Sequence, residues 1–97
     1  MKPVVSLASH AHIPDGILHQ NLEGELVLLN LHTGIYFGLD SVGARTWELI
    51  HAHQNLPLQR VLNSLVGEYD VQRDRCAEDL LYLVALLEEN RLLEIAR

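Results

Sequence analysis

The sequence predicts an α+β domain in which three antiparallel strands precede three helices. Between Ile17 and Leu39, short apolar runs are separated by the turn signals Glu23-Gly24 and His32-Thr33-Gly34, the punctuation of a strand meander. From Asp40 onward the apolar spacing changes to three and four residues, with Val42, Thr46, Trp47, Leu49 and Ile50 on one stripe, which is the helical period. The chain has 97 residues, enough to close one apolar core but not two.

The elements follow in order. Residues 1–16 contain two prolines and no clean period; they read as an N-terminal arm with a short strand around 4–7, leaving 17–97 as the domain. Ile17–Leu22 is the first strand, and Gly24 supplies the positive φ that a tight hairpin needs. Residues 25–31 form the second strand, apolar on both faces at Val27, Leu28 and Leu29. Residues 35–39 form the third, rich in the β-branched and aromatic types that suit a pleated surface. Asp40 or Ser41 caps the first helix by accepting from its unpaired amides, and that helix stops near His53. Asn55-Leu56-Pro57 opens the second, where proline in the first turn loses no helical hydrogen bond; Leu58, Val61, Leu62, Leu65 and Val66 form its buried face. Residues 67–70 end it, a third helix covers 72–90, and 92–95 close the chain with a short strand or turn. The order βββααα is that of a small winged helix-turn-helix. Its third strand leads directly into a helix and so leaves a sheet edge unpaired, a template for another chain's backbone.

The third helix is more apolar than its own core requires. Cys76, Ala77, Leu80, Leu83, Val84 and Leu87 fall on one arc of roughly 120°, the width of a core-facing stripe. Residues 80–87, LLYLVALL, are apolar all round, so Tyr82 and Leu86 fall beside Arg75 and Asp79. That mixed strip has the character of a groove wall. Ordinary packing of Tyr82 and Leu86 beneath the arm or the sheet is the competing account.

Composition removes several functions. A net charge of -6, with seven Lys and Arg against thirteen Asp and Glu, offers no basic stripe for phosphates, which disfavours nucleic acid and anionic membranes. In the third helix Arg73 and Arg75 are offset by Asp74, Glu78 and Asp79, against a DNA-binding regulator. No apolar run reaches the roughly 18 residues of a membrane span, and the start of the chain is too broken and histidine-rich for a signal peptide. A lone cysteine, Cys76, forms no internal disulfide, so a cytoplasmic protein is expected. His10 and His12 would share one side of a strand but lack a third ligand, and His51 and His53 point apart on a helix. No phosphate loop, metal-spaced cysteine pair or nucleophile triad is present. Neither an enzyme nor a cofactor is expected.

Gly24-Glu25 before LVLLN, Thr33-Gly34-Ile35-Tyr36-Phe37, Leu39-Asp40, Val42-Gly43-Ala44-Arg45 and Trp47-Glu48-Leu49 resemble the PqqD-like family of RiPP recognition elements. Leu65, Tyr69-Asp70 and Asp79-Leu80 extend the likeness to most of 17–95. The blocks at 33–39 and 43–49 look most like the stand-alone leader-binding proteins of lasso-peptide biosynthesis. The resemblance implies a non-catalytic protein that binds a precursor leader peptide by strand addition to the third strand and presents it to a separate cysteine peptidase or other maturation enzyme. It also implies a site: backbone from Ile35, Tyr36, Phe37, Gly38 and Leu39, apolar contacts from Tyr36, Phe37, Tyr82, Leu83 and Leu86, and polar orientation by Arg75 and Asp79. Which of Tyr36 and Phe37 faces the groove stays open, because both faces of the strand are apolar. A PqqD-type peptide chaperone for a radical SAM enzyme in quinone-cofactor synthesis is the sibling reading, and a structural dimerisation module is a further alternative. Where the family ends its last helix with glycine, this chain has Asn90, expected to take the left-handed cap in its place.

Overall fold

The computed structural model describes residues 5–96. Strands β1 (His10–His12), β2 (Ile17–Leu22), β3 (Glu25–Asn30) and β4 (Tyr36–Leu39) precede helices α1 (Ser41–Ala52), α2 (Leu58–Glu68) and α3 (Arg73–Glu89), and β5 (Glu94–Ala96) ends the described chain. The predicted α+β meander is present as an antiparallel sheet of order β2-β3-β4. Its hairpin turns through Glu23 (φ 42°) and Gly24 (φ 88°), two successive positive angles that match the twist of the strands they join.

Register decides which apolar residues enter the core. Leu26 lies opposite Leu39 and Leu28 opposite Phe37, and Leu26, Leu28 and Leu39 are buried against Trp47, Ile50, Leu62, Val84 and Leu87. Alternation sends Val27, Leu29 and Tyr36 to the other face of the sheet. Asp40 caps α1 as expected: its carboxylate accepts from the Gly43 amide at 2.8 Å.

The N-terminal segment departs from expectation. Val4 lies outside the described residues, and residues 5–7 are not a strand. The strand is β1 instead, which pairs with β5 through Ala11 opposite Ile95. Three residues that alternate histidine around one alanine carry no recognisable strand pattern; what selects them is a small residue, Ala11, that fits into the core. Residues 5–16 therefore pack on the rest of the chain. Pro57 gives α2 no side-chain cap, and the carbonyls of Ser9 and Leu7 accept from the amides of Leu58 and Gln59, each at 2.9 Å. The segment thus satisfies donors that a helix start leaves orphaned.

The end of α3 also differs. Asn90 has φ -89°, and Arg91, at φ 59°, takes the left-handed position. The Asn90 side chain donates back to the Leu86 carbonyl at 2.8 Å, which holds Asn90 near the helical basin and passes the reversal on by one residue. The third strand begins at Tyr36 rather than Ile35: the Ile35 carbonyl still accepts from the Asn30 amide, but the Asn30 carbonyl accepts from Gly34 and the Ile35 amide donates to the Thr33 hydroxyl at 3.2 Å.

Candidate functional site

β4 pairs with β3 along one side and with no other strand among the described residues. Along its open side runs a groove of about 530 Å³. The groove exists because β4 turns straight into α1 at Asp40, while α2 ends at Glu68 and the chain crosses through Tyr69 and Val71 before α3 begins. Leu39, Leu65 and Leu80 form its buried floor, Phe37, Tyr69 and Leu83 its half-buried walls, and Val42 and Val71 an exposed rim.

The α1–α2 geometry beneath the groove is held by charge. The Arg45 guanidinium donates to both carboxylate oxygens of Glu68, at 2.7 and 2.8 Å, and to Glu48 at 3.0 Å. These bonds push Arg45 further up and hold Glu68 below the usual carboxylate range. The fork matches a carboxylate in plane and joins α1 to Glu68, the last residue of α2, just before Tyr69. Asp79 and Arg75 stand at the rim with N and O 3.8 Å apart and both side chains largely exposed. So loose an exposed pair contributes little stability, and both groups are free to turn toward a ligand. Cys76 lines the same wall; burial, then the charge of Asp79, pushes its thiol up, with Arg73 opposing.

Of the residues singled out by sequence, Phe37, Gly38, Leu39, Arg75, Asp79 and Leu83 line this groove. Ile35, Tyr36, Tyr82 and Leu86 do not. Tyr36 lies on the opposite sheet face at 69% exposure, and Tyr82 points outward at 68%. Leu86 sits about 4.5 Å further along α3 than Leu83, beyond the end of the groove. Val42, Thr46, Leu65, Tyr69, Val71 and Cys76 line it without having been singled out. The i, i+4, i+8 stripe Arg75, Asp79, Leu83 was a usable signal for the α3 wall; the Tyr69 and Val71 contributions depend on where the connection from α2 to α3 passes. Among the described residues no three His, Cys, Asp or Glu side chains are grouped to hold a metal ion; His12 instead meets Glu94 at 2.8 Å across the β1–β5 pair.

A meander followed by three helices matches known proteins. The profile of the family described as coenzyme PQQ synthesis protein D (PqqD) matches residues 25–93. The chain belongs to the PqqD family. Among solved structures, TbiB1 in complex with the TbiA(beta) leader peptide is 35% identical, with a TM-score of 0.76 over 84% of this chain and 93% of that one. Lasso peptide synthetase B1 complexed with the leader peptide shares the fold at 23% identity, with a TM-score of 0.71 over 88% of this chain and 98% of that one. No curated protein matches the chain. The match to a PqqD-type profile begins at Glu25, so β1 and β2 lie outside it. No helix among the described residues is long and apolar enough to cross a membrane.

Proposed function

We propose that this PqqD-family protein recognises the leader of a ribosomally made precursor peptide, catalyses nothing itself, and holds the precursor for a separate maturation enzyme such as a leader peptidase. The observation that carries this is the open edge of β4 beside an apolar groove walled by α3. An extended peptide that adds to this edge gains backbone hydrogen bonds, and every second side chain falls into the groove beside Phe37 and Leu39. A 35% identical relative forms a leader-peptide complex, which supports the same occupant here. Tyr69, Val71 and Leu83 supply apolar contacts, and Arg75 and Asp79 orient polar groups at the rim. The Ile35 carbonyl accepts from the Asn30 amide, so in this register Ile35, Phe37 and Leu39 turn their backbone groups to β3, and the backbone left for a peptide is that of Tyr36 and Gly38.

The family description favours one second reading, a peptide chaperone for quinone-cofactor synthesis; it uses the same groove and differs in the precursor bound. Pairing of two copies through β4 would bury the same edge and compete with the peptide.

Fluorescence anisotropy with a labelled synthetic TbiA(beta) leader, the peptide bound by the 35% identical relative, tests the reading. Val71 is half exposed at the rim, so Val71→Asp keeps the fold while placing a charge against the peptide. It is expected to weaken binding tenfold or more, whereas Tyr82→Ala, off the groove, binds as wild type does. A leader bound no better than its scrambled sequence would overturn the assignment, and loss on Tyr82→Ala with Val71→Asp unaffected would move the site to the outer strip of α3.

A further inference from the structure

Gly38 has no reason within this chain to be glycine. It lies in the middle of the edge strand β4, its φ is outside the left-handed region, and a Cβ built on it would meet nothing within 4 Å. Neither turn geometry nor close packing asks for it, and a glycine inside a strand weakens the strand. Gly16, by contrast, has φ 87° and a His32 ring where its side chain would go. A strand glycine without an internal cause is the kind of position where another chain approaches closely.

Register says which face that chain would approach. Gly38 is opposite Val27, and Tyr36 is opposite Leu29, so all four lie on the sheet face away from the helices. Val27 and Leu29 are only half-buried there, and Tyr36 stands exposed. The missing side chain at Gly38 leaves an open notch on this face, with Val27 across the pair and Tyr36 two residues along β4 as its neighbours. A strand added to β4 in either direction sends alternate side chains to the two faces. Those beside Phe37 and Leu39 enter the groove; those beside Tyr36 and Gly38 must land on the outer face. Strands lie about 4.8 Å apart, so a long or aromatic side chain can lean across a glycine and reach the next strand.

We infer that the outer face of the sheet carries a second subsite of the peptide site, the notch at Gly38, which takes one large apolar side chain from the outward-facing set of the bound strand. This rests on strand addition at β4. Peptide specificity then comes from both faces of the added strand, not from the groove alone. Tyr36 regains a role here, as a neighbour of the outer subsite.

The test is anisotropy with the labelled synthetic leader against wild type, Gly38→Ala, Gly38→Leu and Tyr36→Ala, with thermal unfolding of each. Strand propensity predicts that Gly38→Leu melts no lower than wild type. Its affinity is expected to fall tenfold or more, that of Gly38→Ala a few-fold, and that of Tyr36→Ala several-fold. Aspartate scanning of the leader is expected to find sensitive residues of both parities. Cutting the outward-facing apolar residue to alanine should then weaken binding to wild type and abolish the difference between wild type and Gly38→Leu, a coupling that a change in fold would not produce. Gly38→Leu binding within twofold of wild type, or a scan sensitive at one parity only, overturns the outer subsite and leaves leader recognition intact. Failure of wild type to prefer the leader over its scrambled form overturns both.

Discussion

Asn30 sits at the end of β3 with 4% of its surface exposed, and its polar atoms are all engaged. Its Oδ1 accepts from the amides of His32 and Thr33 at 2.8 and 3.1 Å, which shapes the turn into β4. Its Nδ2 donates to the Arg91 carbonyl at 2.7 Å, just where Arg91 adopts its left-handed angle. One amide therefore ties the turn that leads into the open edge strand β4 to the end of α3. Asn30→Ala leaves the Arg91 carbonyl and two turn amides without their partner at a part-buried site, which costs about 1 kcal/mol. Urea denaturation is expected to show that loss, and an unchanged midpoint would mean that water replaces the side chain at no cost. Gly24 and Asp40 were legible in sequence because their partners are within three residues. Asn30 and Arg91 were not, since a bond between residues 61 apart leaves no local pattern.

Among the elements, α1 and α2 depend on each other through Arg45 and Glu68. The hydrogen bonds from Arg45 lower the carboxyl of Glu68 from its ordinary value of 4.5. A carboxyl with a depressed folded value stabilises the protein above its unfolded value, and that contribution disappears as pH falls through the folded one. Glu68→Gln is therefore expected to melt below wild type near neutral pH, with the gap closing as pH drops below 4.5. Salt should narrow the neutral-pH gap, because the pair is partly exposed. Paired melting curves against pH measure this directly; a gap independent of pH would assign the effect to packing. The existence of all three helices could be read from period and punctuation. The faces of α3 could be read only in part: the period placed Leu83 on the core arc and the family resemblance placed it among the peptide contacts, and it lines the groove.

Among the described residues, β1 and β5 bring opposite ends of the chain together over the same core that the meander covers. β1 reaches β5 over more than 80 residues of sequence, with Ala11 buried against Ile95, and residues 7 and 9 satisfy the first amides of α2. Deleting 1–12 removes a core position, a strand partner and two helix acceptors together. The expected cost is about 3 kcal/mol or more, or about 12–24 °C in melting temperature for a domain of this size. Far-UV circular dichroism and the fluorescence of Trp47, buried in the core, should report one coincident transition in the full chain. A melting temperature unchanged by the deletion would show that the segment merely lies on the surface.

The order of strands and helices, the hairpin at Gly24, the Asp40 cap and the burial of Trp47 follow from the sequence by itself, because each depends on neighbours a few residues away or on the period of its own element. Only the tertiary structure decided that Phe37 faces the groove and Tyr36 the outer face, that Tyr69 and Val71 join the site, and that residues 10–12 complete the core. Each of these turns on the register of one segment against another far away in sequence, and where a strand is apolar on both sides, alternation alone holds no record of it.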